Sequence, residues 1–541
     1  MNTGANTTGH WIRIGRAFRL IVVCALASVG LGVGGLGQRV FAWSLGTPVV
    51  FYWGQNTAYP NSTVSQTLQY DLDGGYNLVW SDVDSTMTEA QTLGLRALYY
   101  DPVFYQFQSI DLSNAPNKAI IDSDITHLNS TITTNGHTQP EFPAFFGYFL
   151  GDEYPATNFP AMGELVSYLR TADPAHATYA NISGLGGQIT NSQEQMTNYQ
   201  SYLSQFLTIV HPSFFSYDYY QFENLFSDSG YIYDGPIDLS GYLMNLGMVS
   251  TSAHQAGIPF MNTVQAFRFS AGMREPNSNQ LQYLVYSTLA YGAQGICYYD
   301  WDNSDYVAPL QGQPYYNGDT NVGAVEPLSW SPLVPSDVYT ALTPLNSQFL
   351  KIATQLQPLN WVGTYLGGYS NSPTLGFLGP PGTSPPPTNA PFTINGLANN
   401  LTFAGYDPVL GVLLGFFGPN SNSLAGAQFV LVQNMDYSTN HTYTVTGPGM
   451  LSVFNASNGT WTATGSSQAT LNFLPGGGAL VAVEPAITVA WSGSNVILSW
   501  QGGGTLQSSS NVTGVYTDVS ESSSPYTNAP SAPQQYFRVR Q

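Results

Sequence analysis

The sequence predicts a (β/α)8 barrel over residues 43–360, followed by a β-sandwich domain over 361–485 and a small β module over 486–541. Within the first region, short apolar runs alternate eight times with segments of helical spacing, which is the pattern of a closed parallel barrel. The apolar runs are unbroken, as expected for parallel strands buried on both faces. Beyond residue 361, Pro- and Gly-rich loops separate short alternating runs that are typical of antiparallel sheets.

The first 42 residues predict an export signal. Three arginines precede a Gly-containing apolar run at 20–36, and "VFA" at 40–42 places small residues at the positions of a cleavage site. An uncleaved membrane anchor is the alternative, although roughly 17 residues are marginal for spanning a bilayer. We therefore expect a secreted or periplasmic/extracellular protein that has no membrane association after cleavage.

The charge balance excludes several classes of partner. After residue 42 the chain carries 8 basic and 32 acidic residues, a net charge of −24. Such a surface repels nucleic acids and anionic lipids and is compatible with a neutral ligand. Aromatic residues make up 14% of the chain, which suits stacking against sugar rings but also β-rich cores. Its one cysteine in this region, Cys297, excludes an intrachain disulfide and is expected in the core.

The barrel prediction depends on eight strand candidates and the helices between them. A doubly wound open sheet would have fewer units and a Gly-rich phosphate turn after its first strand, and this chain has no such turn. Helices are predicted over 191–210, 277–291 and 336–355, because apolar residues recur there at spacings of three and four. The strand candidates are 48–54, 76–84, 95–101, 145–153, 178–184, 214–220, 258–267 and 294–301.

Polar and aromatic side chains follow the end of every predicted barrel strand. In such barrels the loops at the carboxyl ends of the strands surround the active site, so these side chains are expected to meet at one mouth. In strand order they are Trp53; Trp80 and Asp82; Asp101; Asp152 and Glu153; Asn181; Asp218 and Tyr220; Gln265; Asp300 and Trp301.

Acids and tryptophans at one mouth favour the cleavage of glycosidic bonds. That reaction needs one carboxylic acid to protonate the leaving oxygen and one carboxylate to attack carbon or activate water. The seven histidines form no i, i+4 pair, and the chain contains no G-x-S-x-G elbow and no P-loop. We therefore predict no metal site and no cofactor.

Each candidate also has a structural interpretation. Asp152 or Glu153 would cap the following helix, Asp101 would form a turn with Pro102, and Asp82 would cap the helix beginning near Thr86. The tryptophans would pack at the barrel rim. These alternatives stay open at the level of sequence.

Two segments carry a resemblance to a known group of enzymes. "GYFLGDEYP" (147–155) and "AYGAQGICYYDW" (290–301) resemble the large clan of (β/α)8 glycoside hydrolases with an acid/base Glu at the end of strand four. The likeness is greatest to exported β-galactosidase-like and uncharacterised bacterial members that carry an "LGDEP"-type strand four. The resemblance implies that Glu153 is the general acid/base and that Asp152 replaces an Asn contacting the sugar 2-hydroxyl.

The chain departs from that clan at strand seven. The clan's nucleophile is a Glu there, whereas "MNTVQAF" (261–267) offers Gln265, and a neutral amide cannot form a glycosyl ester. The second carboxylate would then come from another strand, with Asp218 as the first candidate and Asp300 as the second. The other account is a glycan-binding or adhesion protein that does not cleave its ligand. The expected substrate is a neutral or galactose-like poly- or oligosaccharide.

Overall fold

We describe the fold from a computed structural model of the 541-residue chain. The structure describes residues 19–22, 47–54, 63–82, 84–106, 111–185, 193–226, 233–238, 242–266, 276–299, 337–369, 385–397, 401, 410–419, 423–485, 487–500, 505–512, 514–520, 522–530 and 534–540.

Eight parallel strands form a nearly closed barrel, which confirms the predicted fold class. Their order around the barrel is β1-β8-β7-β6-β5-β4-β3-β2, so each strand from β2 to β8 pairs with its neighbour in the sequence, and β1 pairs with β8 but not with β2. The strands are β1 (Val49–Tyr52), β2 (Leu78–Ser81), β3 (Arg96–Tyr99), β4 (Phe145–Asp152), β5 (Ala177–Ser183), β6 (Phe215–Asp218), β7 (Phe260–Gln265) and β8 (Gly295–Tyr299).

The seam between β1 and β2 closes mainly through side chains. The Asn77 N–H donates to the Val50 carbonyl at 3.0 Å, and the Val50 N–H donates to the Asn77 side-chain oxygen at 2.9 Å. The Trp80 indole N–H donates to the Tyr52 carbonyl at 2.6 Å. Since β1 and β2 share no regular strand pairing, these bonds satisfy backbone groups that would otherwise be left unpaired in the core.

The helices cover the outside of the barrel, and the predicted ones are present. On the segment predicted at 191–210, Tyr199, Leu203, Phe206 and Val210 are all buried, as their spacing predicts. That segment ends in a π-helix, Phe206–Val210. The α-helices are α1 (Val64–Asp73), α2 (Asp84–Thr92), α3 (Pro102–Tyr105), α4 (Ala115–Leu128), α5 (Phe159–Ala172), α6 (Gln193–Gln205), α7 (Tyr242–Ala256), α8 (Ser278–Ala290) and α9 (Asp337–Leu356).

The region after the barrel is antiparallel, as the alternating runs predict. One sheet has six strands in the order β9-β11-β12-β17-β14-β15, and a second has three in the order β10-β13-β16. The strands are β9 (Asn360–Gly367), β10 (Thr393–Asn395), β11 (Val412–Gly418), β12 (Phe429–Asn434), β13 (His441–Thr446), β14 (Leu451–Asn455), β15 (Thr460–Ala463), β16 (Gln468–Phe473) and β17 (Gly478–Val483).

The last segment forms two further small sheets around its own apolar cluster. One has the order β18-β19-β22, and the other contains β23-β20-β21, with strand Arg19–Val22 paired in parallel to β23. The strands are β18 (Ile487–Ser492), β19 (Asn495–Trp500), β20 (Thr505–Ser509), β21 (Thr517–Asp518), β22 (Tyr526–Asn528) and β23 (Gln534–Arg540). In the described parts of the chain, no helix has both the length and the apolarity needed to cross a bilayer.

Helix α8 joins the barrel to the six-stranded sheet. The Thr364 hydroxyl donates to the Ala290 carbonyl, and the Gln433 side-chain amide donates to the Tyr283 carbonyl, both at 2.8 Å. A Cβ at Gly415 would lie 2.2 Å from the Ala290 carbonyl oxygen, so this contact requires glycine. The six-stranded sheet therefore packs directly against α8.

Candidate active site

Strands β4, β5 and β6 bring three polar side chains together at their carboxyl ends. Asp152 of β4 pairs in register with Asn181 of β5. Asn181 in turn pairs with Ser216 of β6, two residues before Asp218. Because side chains alternate along a strand, Ser216 and Asp218 point to the same side as Asn181.

The side-chain amide of Asn181 connects the two aspartates. Its nitrogen donates to Asp152 Oδ1 at 3.0 Å and to Asp218 Oδ1 at 2.7 Å. Its oxygen accepts a hydrogen bond of 2.9 Å from the Ser216 hydroxyl. Asn181 is 3% exposed, so a buried amide holds two carboxylates at the edge of solvent. The predicted members Asp152, Asn181 and Asp218 therefore form one cluster.

Glu153 joins this cluster through an unusual backbone conformation. Its φ angle is +50°, in the left-handed region, and its N–H donates to the Asn181 carbonyl at 2.9 Å. Its side chain is exposed. A non-glycine residue in this region is strained, and such residues concentrate at functional sites.

The turn that carries Glu153 is held from several sides. A Cβ at Gly151 would lie 2.0 Å from the ring of Tyr154, so this position requires glycine. The Tyr154 hydroxyl donates to the Tyr105 carbonyl at 2.6 Å, and the Tyr202 hydroxyl donates to the Tyr154 carbonyl at 3.0 Å. These bonds fix the direction in which the chain leaves β4.

Neither acid caps the following helix. Helix α5 begins at Phe159 with Asn158 as its N-cap, and a short 3-10 turn at Ala156–Asn158 separates it from the acids. The alternative prediction, that Asp152 or Glu153 caps the following helix, is therefore wrong.

The pKa values of Asp152 and Asp218 are both raised. The pKa of Asp218 is raised to about 8, mainly by burial and then by the negative charges of Glu153 and Asp152. Hydrogen bonds from Asn181 and Tyr220 act in the opposite direction. Burial also raises the pKa of Asp152 to about 6, although its side chain reaches solvent, because protein atoms surround the carboxyl. Strongly shifted carboxyl pKa values in one cluster are typical of catalytic sites.

Aromatic side chains line the same end of the barrel. Trp53 is half-buried and packs edge-on against Trp80 and Phe149, with ring centroids 5.3 and 5.5 Å apart. Trp80 is only 3% exposed, and its indole N–H is used at the β1–β2 seam. Trp53 is therefore placed to touch a ligand, whereas Trp80 packs in the barrel core and its predicted sugar contact is not favoured.

Gln265 has a structural environment. It is fully buried, its side-chain oxygen accepts from the Phe222 N–H at 2.8 Å, and its side-chain nitrogen donates to the Phe222 carbonyl at 3.1 Å. The side-chain amide of Gln265 thus forms two hydrogen bonds with the backbone of Phe222, as the backbone of a neighbouring strand would. This geometry does not favour the predicted contact between Gln265 and a substrate.

The remaining predicted residues are distributed around the cluster. Asp101 caps α3 by accepting from the Val103 N–H at 2.8 Å, as its structural alternative predicts. Asp82 is exposed just after β2, and α2 begins at Asp84. Tyr220 is half-buried with its ring 5.5 Å from that of Tyr299. Asp300 and Trp301 lie outside the described residues.

Ser216 is a member of the cluster that the sequence did not suggest. It is fully buried on β6, and its hydroxyl sets the orientation of the Asn181 amide. The signal was present in "FSYD" (215–218), where Ser216 and Asp218 share one face of the strand.

Among the described residues, no group of three or more His, Cys, Asp or Glu side chains is arranged to hold a metal ion.

Comparison with known proteins gives structural likeness alone. No protein-family model matches the chain, and no curated protein matches it. The chain is similar to the endo-beta-1,4-mannanase from Thermotoga petrophila, with 10% identity over 93% of this chain and 100% of that chain and a TM-score of 0.37. It is also similar to an Anoxybacillus alpha-amylase (8% identity, 82% and 99% covered, TM-score 0.40). A glycoside hydrolase family 5 mannosidase from Rhizomucor miehei shows 11% identity over 57% of this chain and 94% of that chain, with a TM-score of 0.34. Structural similarity at this level of identity and TM-score does not assign an activity to this chain.

Proposed function

We propose that this protein is a glycoside hydrolase that cleaves O-glycosidic bonds with Glu153 and Asp218 as its catalytic pair. The observation that carries the proposal is the carboxyl cluster at the ends of β4, β5 and β6, in which the pKa values of Asp152 and Asp218 are raised. Glycosidic cleavage requires two carboxyl groups of which one carries a proton near neutral pH.

The choice of Glu153 over Asp152 as the partner of Asp218 rests on the resemblance to the glycoside hydrolase clan. The Asn181 amide occupies the space between Asp152 and Asp218. Those two carboxylate oxygens are no further apart than the sum of their 3.0 and 2.7 Å bonds, which is below the roughly 6.5 Å of inverting enzymes and allows the roughly 5–5.5 Å of retaining ones. The side chains of Asp152 and Glu153 are both exposed to the solvent from which a sugar would approach.

In the proposed reaction, one member of the pair gives its proton to the glycosidic oxygen as the bond from that oxygen to the anomeric carbon breaks. The other attacks the anomeric carbon directly, or takes a proton from the water that attacks it. The resemblance to the glycoside hydrolase clan gives the donor role to Glu153. The raised pKa of Asp218 instead places a proton on Asp218 at neutral pH in the free protein, which favours Asp218 as the donor.

Substrates with different leaving groups separate these two assignments. Loss of the proton donor slows cleavage of poor leaving groups far more than that of an activated aryl glycoside, because an activated phenolate leaves without protonation. The variant of Glu153 or Asp218 that retains activity on the aryl glycoside therefore identifies the donor. If both variants lose both activities equally, neither assignment is supported.

We propose a neutral or galactose-like oligo- or polysaccharide as the substrate. The net charge of −24 after residue 42 disfavours a polyanionic glycan, and the exposed part of Trp53 offers a flat apolar surface for a sugar ring. The galactose-like character rests on the resemblance alone.

We propose export on the basis of the first 42 residues, and N-terminal sequencing of the secreted protein tests it: an uncleaved N-terminus would contradict a cleaved signal.

Glycan binding without cleavage is the second candidate. The amide of Gln265, at the position where the clan has its nucleophile, is bonded to the Phe222 backbone. Such a protein would bind a sugar saturably and release no reducing ends. Incubation with a broad glycan panel, followed by measurement of both binding and new reducing ends, distinguishes the two.

A further inference from the structure

One residue contacts all three acidic positions of the candidate site. The Asn181 side chain donates to Asp152 and Asp218, and its backbone carbonyl accepts from the Glu153 N–H. No other described residue is shown to do this. A change of the Asn181 side chain therefore acts directly on the carboxylates of Asp152 and Asp218.

Ser216 and the two aspartates together set the direction of the Asn181 amide. An amide side chain has a donating and an accepting end, and the two are exchanged when it rotates by half a turn. The Ser216 hydroxyl lies 2.9 Å from Asn181 Oδ1 and also lies 3.4 Å from the Tyr179 hydroxyl. Because a hydroxyl has one proton to donate, the shorter hydrogen bond, to Asn181, is stronger than the longer contact with Tyr179. With the oxygen so engaged, both N–H groups face the two aspartates.

We propose that Asn181, oriented by Ser216, is a positioning residue that holds Asp152 and Asp218 at a fixed separation and favours their ionised forms. This inference rests on the proposed glycosidase function, because it assigns the two residues a role in that reaction. Ser216 is fully buried behind the Asn181 amide, so it acts through Asn181.

The physical consequence is a shift in protonation. An N–H donor stabilises a carboxylate and not the neutral acid, so the Asn181 bonds lower the pKa values of both aspartates against the effect of burial. Loss of these bonds moves both titrations to higher pH. A residue that only packed the two strands together would have no such effect.

The test uses four variants of the full-length protein. Asn181→Leu keeps a similar volume without the donors, and Ser216→Ala removes the hydroxyl with a minimal change of shape. Ser213→Ala is the matched control, because Ser213 also bonds to strand β5, through the N–H and hydroxyl of Thr178 at 3.1 Å, but at the opposite end of the barrel. Ser216→Thr tests rescue by a residue that keeps the hydroxyl.

Two readouts separate this proposal from the proposed function. The first is the titration of the aspartate carboxyl carbons by NMR, which needs no activity. We expect the cluster to titrate at higher pH in Asn181→Leu and Ser216→Ala and to be unchanged in Ser213→Ala. The second is the pH profile of kcat and KM. Ser216→Ala should lower kcat by about 10- to 100-fold and leave KM within about threefold. The part of the pH profile that reflects ionisation of Asp218 should move to higher pH.

Unchanged titrations in both site variants would overturn the proposal, as would an equal shift in the Ser213→Ala control. If the wild-type protein cleaves no glycan while the titrations shift as expected, the proposed function fails and the positioning of the carboxylates stands. If Asn181→Leu does not fold, Ser216→Ala and its rescue by Ser216→Thr decide the question.

Discussion

Asp218 Oδ1 accepts a hydrogen bond of 2.7 Å from Asn181 Nδ2, and yet the pKa of Asp218 lies well above its ordinary value. A hydrogen bond to a charged group contributes about 1.5–3 kcal/mol. The two neighbouring negative charges and the loss of water around Asp218 outweigh it. The site therefore holds a proton that bulk water would remove from a free aspartate.

This balance predicts how stability depends on pH. The pKa of Asp218 is higher in the folded than in the unfolded chain, so between about pH 4 and 8 this carboxyl binds more protons in the folded state, and its contribution to stability falls as pH rises. Asp218→Asn removes this titration. We expect the variant to be more stable than wild type by on the order of 2 kcal/mol near pH 8 and by little near pH 4, measured by urea denaturation.

Asp73→Asn is the control for this prediction, since Asp73 is an exposed acid at the end of α1. It should leave the pH dependence nearly as in wild type. A wild-type stability that rises between pH 5 and 8 in parallel with that of Asp218→Asn would contradict the account of Asp218.

Glu153→Gln should abolish most of the glycosidase activity. The substitution keeps the shape of the side chain and removes its ability to exchange a proton or to attack carbon, which is worth about 100- to 10,000-fold in rate. The measurement is kcat on a cleaved glycan, with thermal unfolding to show that the fold is kept. Glu164→Gln, on the exposed face of α5, is the matched control and should be fully active. A fully active Glu153→Gln protein would remove Glu153 from the mechanism.

Gln265→Glu should destabilise the protein as pH rises and should add no activity. A protonated Glu can still accept from the Phe222 N–H and donate to its carbonyl, but an ionised one faces that carbonyl without a proton. Since the site is fully buried, we expect near wild-type stability at pH 4 and a loss of about 3 kcal/mol at pH 8.

Gln205→Glu, on the exposed side of α6, is the control for charge alone and should change stability by less than about 0.5 kcal/mol. Denaturation curves at the two pH values give the comparison. Equal stability of Gln265→Glu at both would mean that the amide does not carry the backbone contact described for it.

The two tryptophans at the mouth should behave differently. Trp53 is half-buried, so Trp53→Ala should raise KM by about 10-fold through lost sugar stacking. Trp80 is buried and bonds the Tyr52 carbonyl, so Trp80→Ala should lower the free energy of unfolding by about 3–5 kcal/mol. Kinetics and denaturation on both variants check this. An unchanged KM in Trp53→Ala would exclude Trp53 as a sugar platform.

The barrel was predictable because its signals are local. Unbroken apolar runs gave strands, and the spacing of residues such as Leu203 and Phe206 gave the buried face of a helix. Helix α9 begins and ends within a residue of its predicted bounds. The exposed hairpin of Thr131–Thr134 and His137–Pro140 was not predicted, since its polar sequence has no buried face to mark it.

The site was predictable in its acids and less so in its contacts. Strand ends alone place Asp152, Asn181 and Asp218 at one mouth. The direction of the Gln265 side chain depends on Phe222, 43 residues earlier in the chain, and the role of Ser216 depends on the pairing of two strands. Such contacts follow from tertiary packing and leave no periodic trace in the sequence.

The central claim is most directly tested by the release of reducing ends from a panel of neutral and galactose-containing glycans. Wild-type and Glu153→Gln proteins should be compared at equal concentration, with binding measured on the same panel. We expect wild type to release reducing ends from at least one glycan, and Glu153→Gln to bind this glycan but cleave it at least about 100-fold more slowly. Saturable binding by wild type with no release from any glycan would contradict this expectation.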